Sequence, residues 1–190
     1  VSIGFILICV VLWAGTFNLR EIVEAQRAHV SIINGFVANP LLFPMWVMFL
    51  ISGMAETQRA PFDLTEADSE IVAGYMTEYS GFRFLIFFIG EFATAGVFAM
   101  IASILFLGGW GVPFAWFGWD SIDSVANWMN VAGPVILITK MLLVTFVIMW
   151  VRFSYPRFRE DQLQRFSWQI LIPLTLVQIL VVAVIKIQFS

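Results

Sequence analysis

The chain has 190 residues, of which 61% are hydrophobic, 16% aromatic and 12% charged. A soluble domain carries about 45–50% apolar and about 25% charged residues. With a mean hydropathy of +0.91, the composition excludes a soluble globular enzyme, a disordered tail and a nucleic-acid binder. The formal net charge of -3 supplies no field for phosphate. Cys9 is the one cysteine, so neither an intrachain disulfide nor a cysteine-built zinc or iron–sulfur site is available.

In chain order, Val1 opens directly into an apolar stretch with no basic leader and no small-residue cleavage signature. That is not a signal peptide, and the chain reads as a piece of a longer membrane protein. A spanning helix needs about 20 mostly apolar residues. Five windows predict spans: about 1–17, 40–55, 82–107, 131–151 and 166–187. The second is short, but Pro40, Pro44 and their flanks extend it. The expected fold is all-α: a multi-span transmembrane helical bundle of five spans plus a short amphipathic cytoplasmic helical segment. All 190 residues are expected to form a single membrane domain with an acidic loop at 56–81.

Charge sorts the connecting segments onto two sides. One side holds Arg59, Arg83, Arg152, Arg157, Arg159 and Arg165; the other holds Arg20, Arg27 and, near the C-terminus, Lys186. The arginine-rich side is therefore cytoplasmic. Trp110, Trp116, Trp119 and Trp128 crowd the opposite loop as an interfacial belt would. There is no internal repeat, no GxGxxG, GxxxxGK[ST] or HExxH, and no Ser/His/Asp constellation. The single histidine, His29, falls in the loop expected at 18–39, opposite the arginine-rich side, and reads as solvated.

The informative stretch runs from Ala55 to Phe84. Glu56, Asp63, Glu66, Asp68, Glu70 and Glu78 lie in it, Glu91 follows inside the third span, and only Arg59 and Arg83 oppose them. Pro61 biases Ala60 out of the helical region. Asp63 followed by Glu66 fits a capping-box-like start. Asp63, Glu66 and Glu70 then share one face, with Leu64, Ala67, Ile71 and Tyr75 on another. This predicts a short amphipathic helix at the membrane surface, ending near Gly74. A charge run is usually a solvated face. Two features argue for more here: the acids begin at a span end, and Glu91 stands inside the apolar run. An ionisable group within a span costs about 2.5–3.5 kcal/mol on insertion scales and normally faces a polar cavity or a partner. Hydrogen bonding to a neighbouring helix is the structural alternative for Glu91. Lys140 is the mirror case inside span four, and pairing with an intramembrane carboxylate, Glu91 among the candidates, is expected. Carboxyls this close titrate as a coupled set, which is the equipment of a proton path.

At this segment the sequence resembles the H-subunit family of the proton-pumping NADH:quinone oxidoreductase, respiratory complex I (subunit 1 in mitochondria). The carrying residues are Ala55-Glu56-Thr57-Gln58-Arg59-Ala60-Pro61-Phe62-Asp63-Leu64, Glu66-Ala67, Glu70, Val72-Ala73-Gly74-Tyr75 and Thr77-Glu78-Tyr79-Ser80-Gly81. The match continues at Gly90-Glu91-Phe92, Leu107-Gly108-Gly109-Trp110, Lys140, Arg152, Pro156-Arg157-Phe158-Arg159, Asp161-Gln162 and Trp168. Gln58 stands where the family commonly has Asn, Thr65 where it has Pro, and Asp68 where it has Glu.

The resemblance implies that these are the C-terminal spans of a subunit with further spans before them. It implies that the acidic loop faces the hydrophilic arm and helps form the quinone cavity there. By that resemblance Glu56, Arg59, Phe62, Asp63 and Glu66 belong to the cavity and its loop. Glu56, Glu66, Asp68, Glu70, Glu78, Glu91 and Lys140 belong to a proton path into the membrane arm. The chain itself would hold no redox centre, no catalytic residue and no metal. Iron–sulfur clusters and FMN would sit in partner subunits, with quinone as substrate. Expected partners are the hydrophilic quinone-site subunits, small membrane-arm subunits and lipid, with no nucleic acid, in a bacterial plasma (inner) membrane. A homologous subunit of a membrane-bound hydrogenase, or an ion transporter or channel, remains the alternative.

Overall fold

The structure, a computed structural model, describes residues 1–28, 36–57, 61–62, 79–111, 123–156 and 158–189; among these every regular element is a helix. The all-α expectation holds. The expected number of spans does not follow from the helix lengths.

Helix α1 (Ser2–Ala14) stops at Gly15, which adopts φ 78° and closes its N–H on Val11 O at 2.7 Å. Glycine reaches this left-handed conformation at no steric cost. A polar corner then restarts the chain. The Asn18 side-chain oxygen accepts from the Arg20 N–H at 3.1 Å, and the Thr16 hydroxyl donates to the Glu21 carboxylate at 2.5 Å. Helix α2 (Leu19–Ala28) leaves at 65° to α1. The 1–17 window is therefore half of a bent pair, and part of the expected 18–39 loop is helix.

The 40–55 window also falls short. After a 3-10 turn at Phe36–Ala38, the Asn39 side chain and carbonyl accept from Leu41 and Phe43 N–H at 3.0 and 2.9 Å. Pro44 then sits in the first turn of α3 (Phe43–Glu56), where its missing N–H costs nothing. Fourteen residues make about 21 Å of helix, against a hydrocarbon core of about 30 Å. Among the described residues, helices long and apolar enough to cross are three: Phe82–Phe106, Ala132–Ser154 and Asp161–Gln188, or four with the bent pair counted as one.

These three carry α4 (Phe82–Phe106), α5 (Asp123–Ser154) and a composite helix. The composite runs as α6 (Glu160–Arg165), a π-helical stretch at Phe166–Leu171 and α7 (Ile172–Phe189). Pro173 stands two residues past the π stretch, in the first turn of α7. An in-helix proline removes a donor and crowds the carbonyl four residues back, and local widening re-accommodates that carbonyl in membrane helices.

Helix α4 packs along α5, α1 packs along α7, and α3 touches α1, α4 and α7. Lipid tails are as apolar as leucine, so the pull between helices is close packing rather than hydrophobic transfer. Ala95, Gly96, Ala99, Ala102 and Ser103 form a buried stripe of small residues on α4, and a Cβ on Gly96 would stand 3.0 Å from the Met141 methyl of α5. The Phe49 ring of α3 fills the space between Phe98 and Phe106, at centroid distances of 6.3 and 5.6 Å. Side-chain hydrogen bonds pin the rest. Ser2 and Ser52 hydroxyls meet at 3.1 Å, and the Gln178 carboxamide donates to Leu41 O. Outward, Val135, Ile138, Leu142, Phe146 and Trp150 leave one apolar face of α5 exposed, suited to lipid or a neighbouring membrane subunit.

Candidate functional site

Of the site residues that the structure describes, Glu56, Phe62 and Glu91 lie towards one end of the bundle and Lys140 does not. Helix α3 delivers Glu56 there, exposed, as its last residue. A carboxylate at a helix C-terminus opposes the macrodipole, so helix stability is no reason for Glu56. Just beyond, Pro61 and Phe62 are buried. Phe158, in the turn between α5 and α6, donates its N–H to Pro61 O at 2.9 Å and stacks its ring on Phe62 at 5.5 Å and 24°. This clasp fixes the start of the acidic segment against the last loop on the same side.

Glu91 lies ten residues into α4, where its carboxylate meets the Arg152 guanidinium at 3.6 Å. Arg152 is in the last turn of α5. Antiparallel packing thus brings an acid from within one apolar helix to a cation at the end of the next. Both side chains are mostly covered, at 19% and 28% exposed. Before Glu91, α4 begins at Gly81, whose φ of 60° turns the chain into the helix. A cleft of about 450 Å³ is lined there by Tyr79, Ser80, Phe82 and Arg83.

Lys140 lies elsewhere. Its ammonium donates to Leu107 O, Gly109 O and Gly111 O at 2.6, 2.9 and 2.6 Å. Twelve residues of α5 separate it from Arg152, about 18 Å along the helix axis. The expected Lys140–Glu91 pairing is therefore replaced by two separate arrangements, one at each end of the α4–α5 pair. Arg59, Asp63, Glu66, Asp68, Glu70 and Glu78, and with them the expected amphipathic helix, lie outside the described residues, as does His29.

Three contributors carry little or no signal in the sequence. Arg152 reads only as a loop charge, although counting inward from the facing ends of α4 and α5 places it near Glu91. Phe158 leaves no signal, because a ring stack between distant loops has no spacing. Gln26 has one: it shares the buried face of α2 with Ile22 and Val23, a helical spacing visible once 19–28 is read as a helix. Its carboxamide donates to Ile104 O at 2.9 Å and accepts from Gly108 N–H at 2.7 Å.

The Phe158 clasp is testable by amide exchange. Phe158→Ala removes the stack, worth about 1 kcal/mol beyond burial. Exchange at the residue-158 amide is expected to accelerate about tenfold, with α4 and α5 unchanged. Unaltered exchange would deny the ring a role in holding the segment.

Among the described residues no group of three or more His, Cys, Asp or Glu side chains is placed to hold a metal ion. The family model for NADH dehydrogenase matches residues 1–183. The chain is 55% identical over 183 residues to a protein of Novosphingobium aromaticivorans named as the H subunit of NADH-quinone oxidoreductase, covering 96% of the chain and 50% of that protein. Proteins of the same name from Erythrobacter litoralis and Paramagnetospirillum magneticum are 50% and 42% identical, over 96% and 100% of the chain and 50% and 51% of their own lengths. The chain spans about half the length of the curated relatives it matches.

Proposed function

The chain belongs to the NADH dehydrogenase family, and from that premise we propose that it is part of the membrane subunit coupling quinone reduction to proton translocation in NADH:quinone oxidoreductase. The observation that carries this reading is Glu91, an acid ten residues inside an apolar helix, held 3.6 Å from Arg152 beside the end where the acidic segment begins. Such a group normally faces a partner or polar route and marks function.

Reducing a quinone to its quinol takes two electrons and two protons. The electrons arrive from partner subunits, and the protons come from the side of the acidic segment. Glu56, Arg59, Phe62, Asp63 and Glu66 belong to the cavity wall, with the Phe158 clasp fixing its start. Negative charge appearing on the headgroup draws protons through the carboxyl set of Glu56, Glu66, Asp68, Glu70 and Glu78. Glu91 is the step into the membrane. A proton delivered to Glu91 neutralises it, loosens its pair with Arg152 and is passed on from there. Lys140 adds a fixed positive charge at the opposite end of α4. The arginine-rich end, with Arg83, Arg152, Arg159 and Arg165, faces the cytoplasm.

The names of the relatives favour this reading over a hydrogenase component or a stand-alone transporter. The full-length subunit, tagged and purified from its membrane, is expected to bring with it NADH:quinone oxidoreductase activity and iron–sulfur subunits. A protein that purifies alone and moves a solute without electron transfer would refute it.

A further inference from the structure

Helix α4 ends in an unusual turn. Leu107 is followed by Gly108 and Gly109 at φ 72° and 52°, and the Gly109 N–H reaches back to Ser103 O at 3.0 Å. Through the two left-handed glycines alternate carbonyls turn inward, while the Gly108 carbonyl accepts from Gly111 N–H at 2.9 Å. Those of Leu107, Gly109 and Gly111 converge on one nitrogen, the Lys140 ammonium. From the opposite side, Gln26 holds the same turn through Ile104 O and Gly108 N–H. Lys140 is 9% exposed and Gly108, Gly109 and Gly111 are buried.

We infer that the Leu107–Gly111 turn is a carbonyl site for a monovalent cation, which the chain fills with its own tethered ammonium, that of Lys140. Three geometric facts support this. Three backbone carbonyls stand within hydrogen-bond distance of the one ammonium, a group with donors only and no acceptor. The distances are those of charge-assisted hydrogen bonds. Rings of backbone carbonyls are also what replaces the hydration shell of a bare monovalent cation in membrane proteins. A helix C-terminus buried without partners leaves orphan carbonyls, and a cation there also meets the negative end of the helix dipole. The chain uses the device a second time. Lys186 donates to Leu12 O and Trp13 O at 2.7 and 2.8 Å, at the end of α1 beside Gly15. Lys140 and Lys186 are the chain's only lysines, and both cap a helix C-terminus. Lys140 is thus a positioning residue. It holds the far end of α4, and through that helix the level of Glu91 against Arg152. This goes beyond the quinone reading and stands on the turn's geometry alone.

The test uses the full-length subunit in its native assembly. It reads survival of the assembly on native gels at a fixed elevated temperature, so it needs no catalytic activity. Lys140→Ala is expected to shorten the half-life about tenfold. Ammonium or methylammonium chloride should restore at least a third of the loss on a logarithmic scale, and tetramethylammonium chloride at equal ionic strength should not, because it donates no hydrogen bond. The wild type should respond to none of the three salts. Absence of recovery, or equal recovery with tetramethylammonium, overturns the proposal. Should Lys140→Ala fail to assemble, Lys140→Arg and Lys140→Met decide. The first keeps a donating cation and is expected to assemble, while the second keeps length without charge and is expected to fail. Equal yields of the two overturn the proposal.

Discussion

Replacing Glu91 by Gln in the full-length subunit is expected to lower proton translocation coupled to NADH oxidation about 100-fold, the scale on which a positioned acid–base group acts. Assembly should survive. The Glu91–Arg152 contact is 3.6 Å long, beyond the length of a charge-assisted hydrogen bond. The amide keeps the size and an acceptor for Arg152 and removes the charge and the titrating group. The two effects therefore separate: a structural Glu91 would show a loss of assembly with normal pumping per complex, whereas a relay shows the reverse. Proton uptake by reconstituted vesicles, normalised to assembled complex on native gels, checks it. Undiminished pumping rate and stoichiometry would remove Glu91 from the path.

The second large effect is expected at Gly109. An added Cβ would lie 2.8 Å from Val23 Cγ2 of α2, at a residue whose φ is +52°. Left-handed backbone costs a non-glycine residue roughly 1–2 kcal/mol, and overpacking a tight contact adds about 1–3 kcal/mol. Val23 is β-branched and fully buried, so it turns aside poorly. Gly109→Ala should destabilise the assembly by about 2–5 kcal/mol. Pairing it with Val23→Ala should recover the steric part and leave the backbone part. Thermal melts of the two single variants and the double variant measure this. Full recovery in the double variant would mean that φ carries no cost, and no loss in Gly109→Ala would mean that the α2–α4 contact is loose.

The helical character was legible because it rests on composition: apolar windows of the right length predict membrane helices whatever their neighbours do. The windows at 82–107, 131–151 and 166–187 became Phe82–Phe106, Ala132–Ser154 and Asp161–Gln188. The first two windows misled for a local reason. Hydropathy sums side chains and does not register a backbone break, so the left-handed Gly15 that ends α1 passed unseen, and the Asn39–Pro44 start of α3 looked like extendable flank. Glu91 was legible as a site residue because a charge in an apolar run is conspicuous by itself. Its partner was not, since register between antiparallel helices depends on where each one ends. Lys140 was conspicuous too, but Glu91, the candidate partner named for it, meets Arg152 instead, and the Lys140 ammonium reaches backbone carbonyls. Backbone carbonyls have no letter in a sequence, and two adjacent glycines do not announce which way their oxygens will turn.

Coupling through this end of the bundle requires that its carboxyls change protonation when quinone is reduced. Infrared difference spectroscopy of the assembled complex, recorded on quinone reduction, observes that step directly in the protonated-carboxyl stretch. The wild type is expected to show a carboxyl signal, and Glu91→Gln is expected to lack one component of it while still reducing quinone at a measurable rate. A wild-type spectrum without any carboxyl change, or an identical spectrum in Glu91→Gln, would contradict a proton path through these residues.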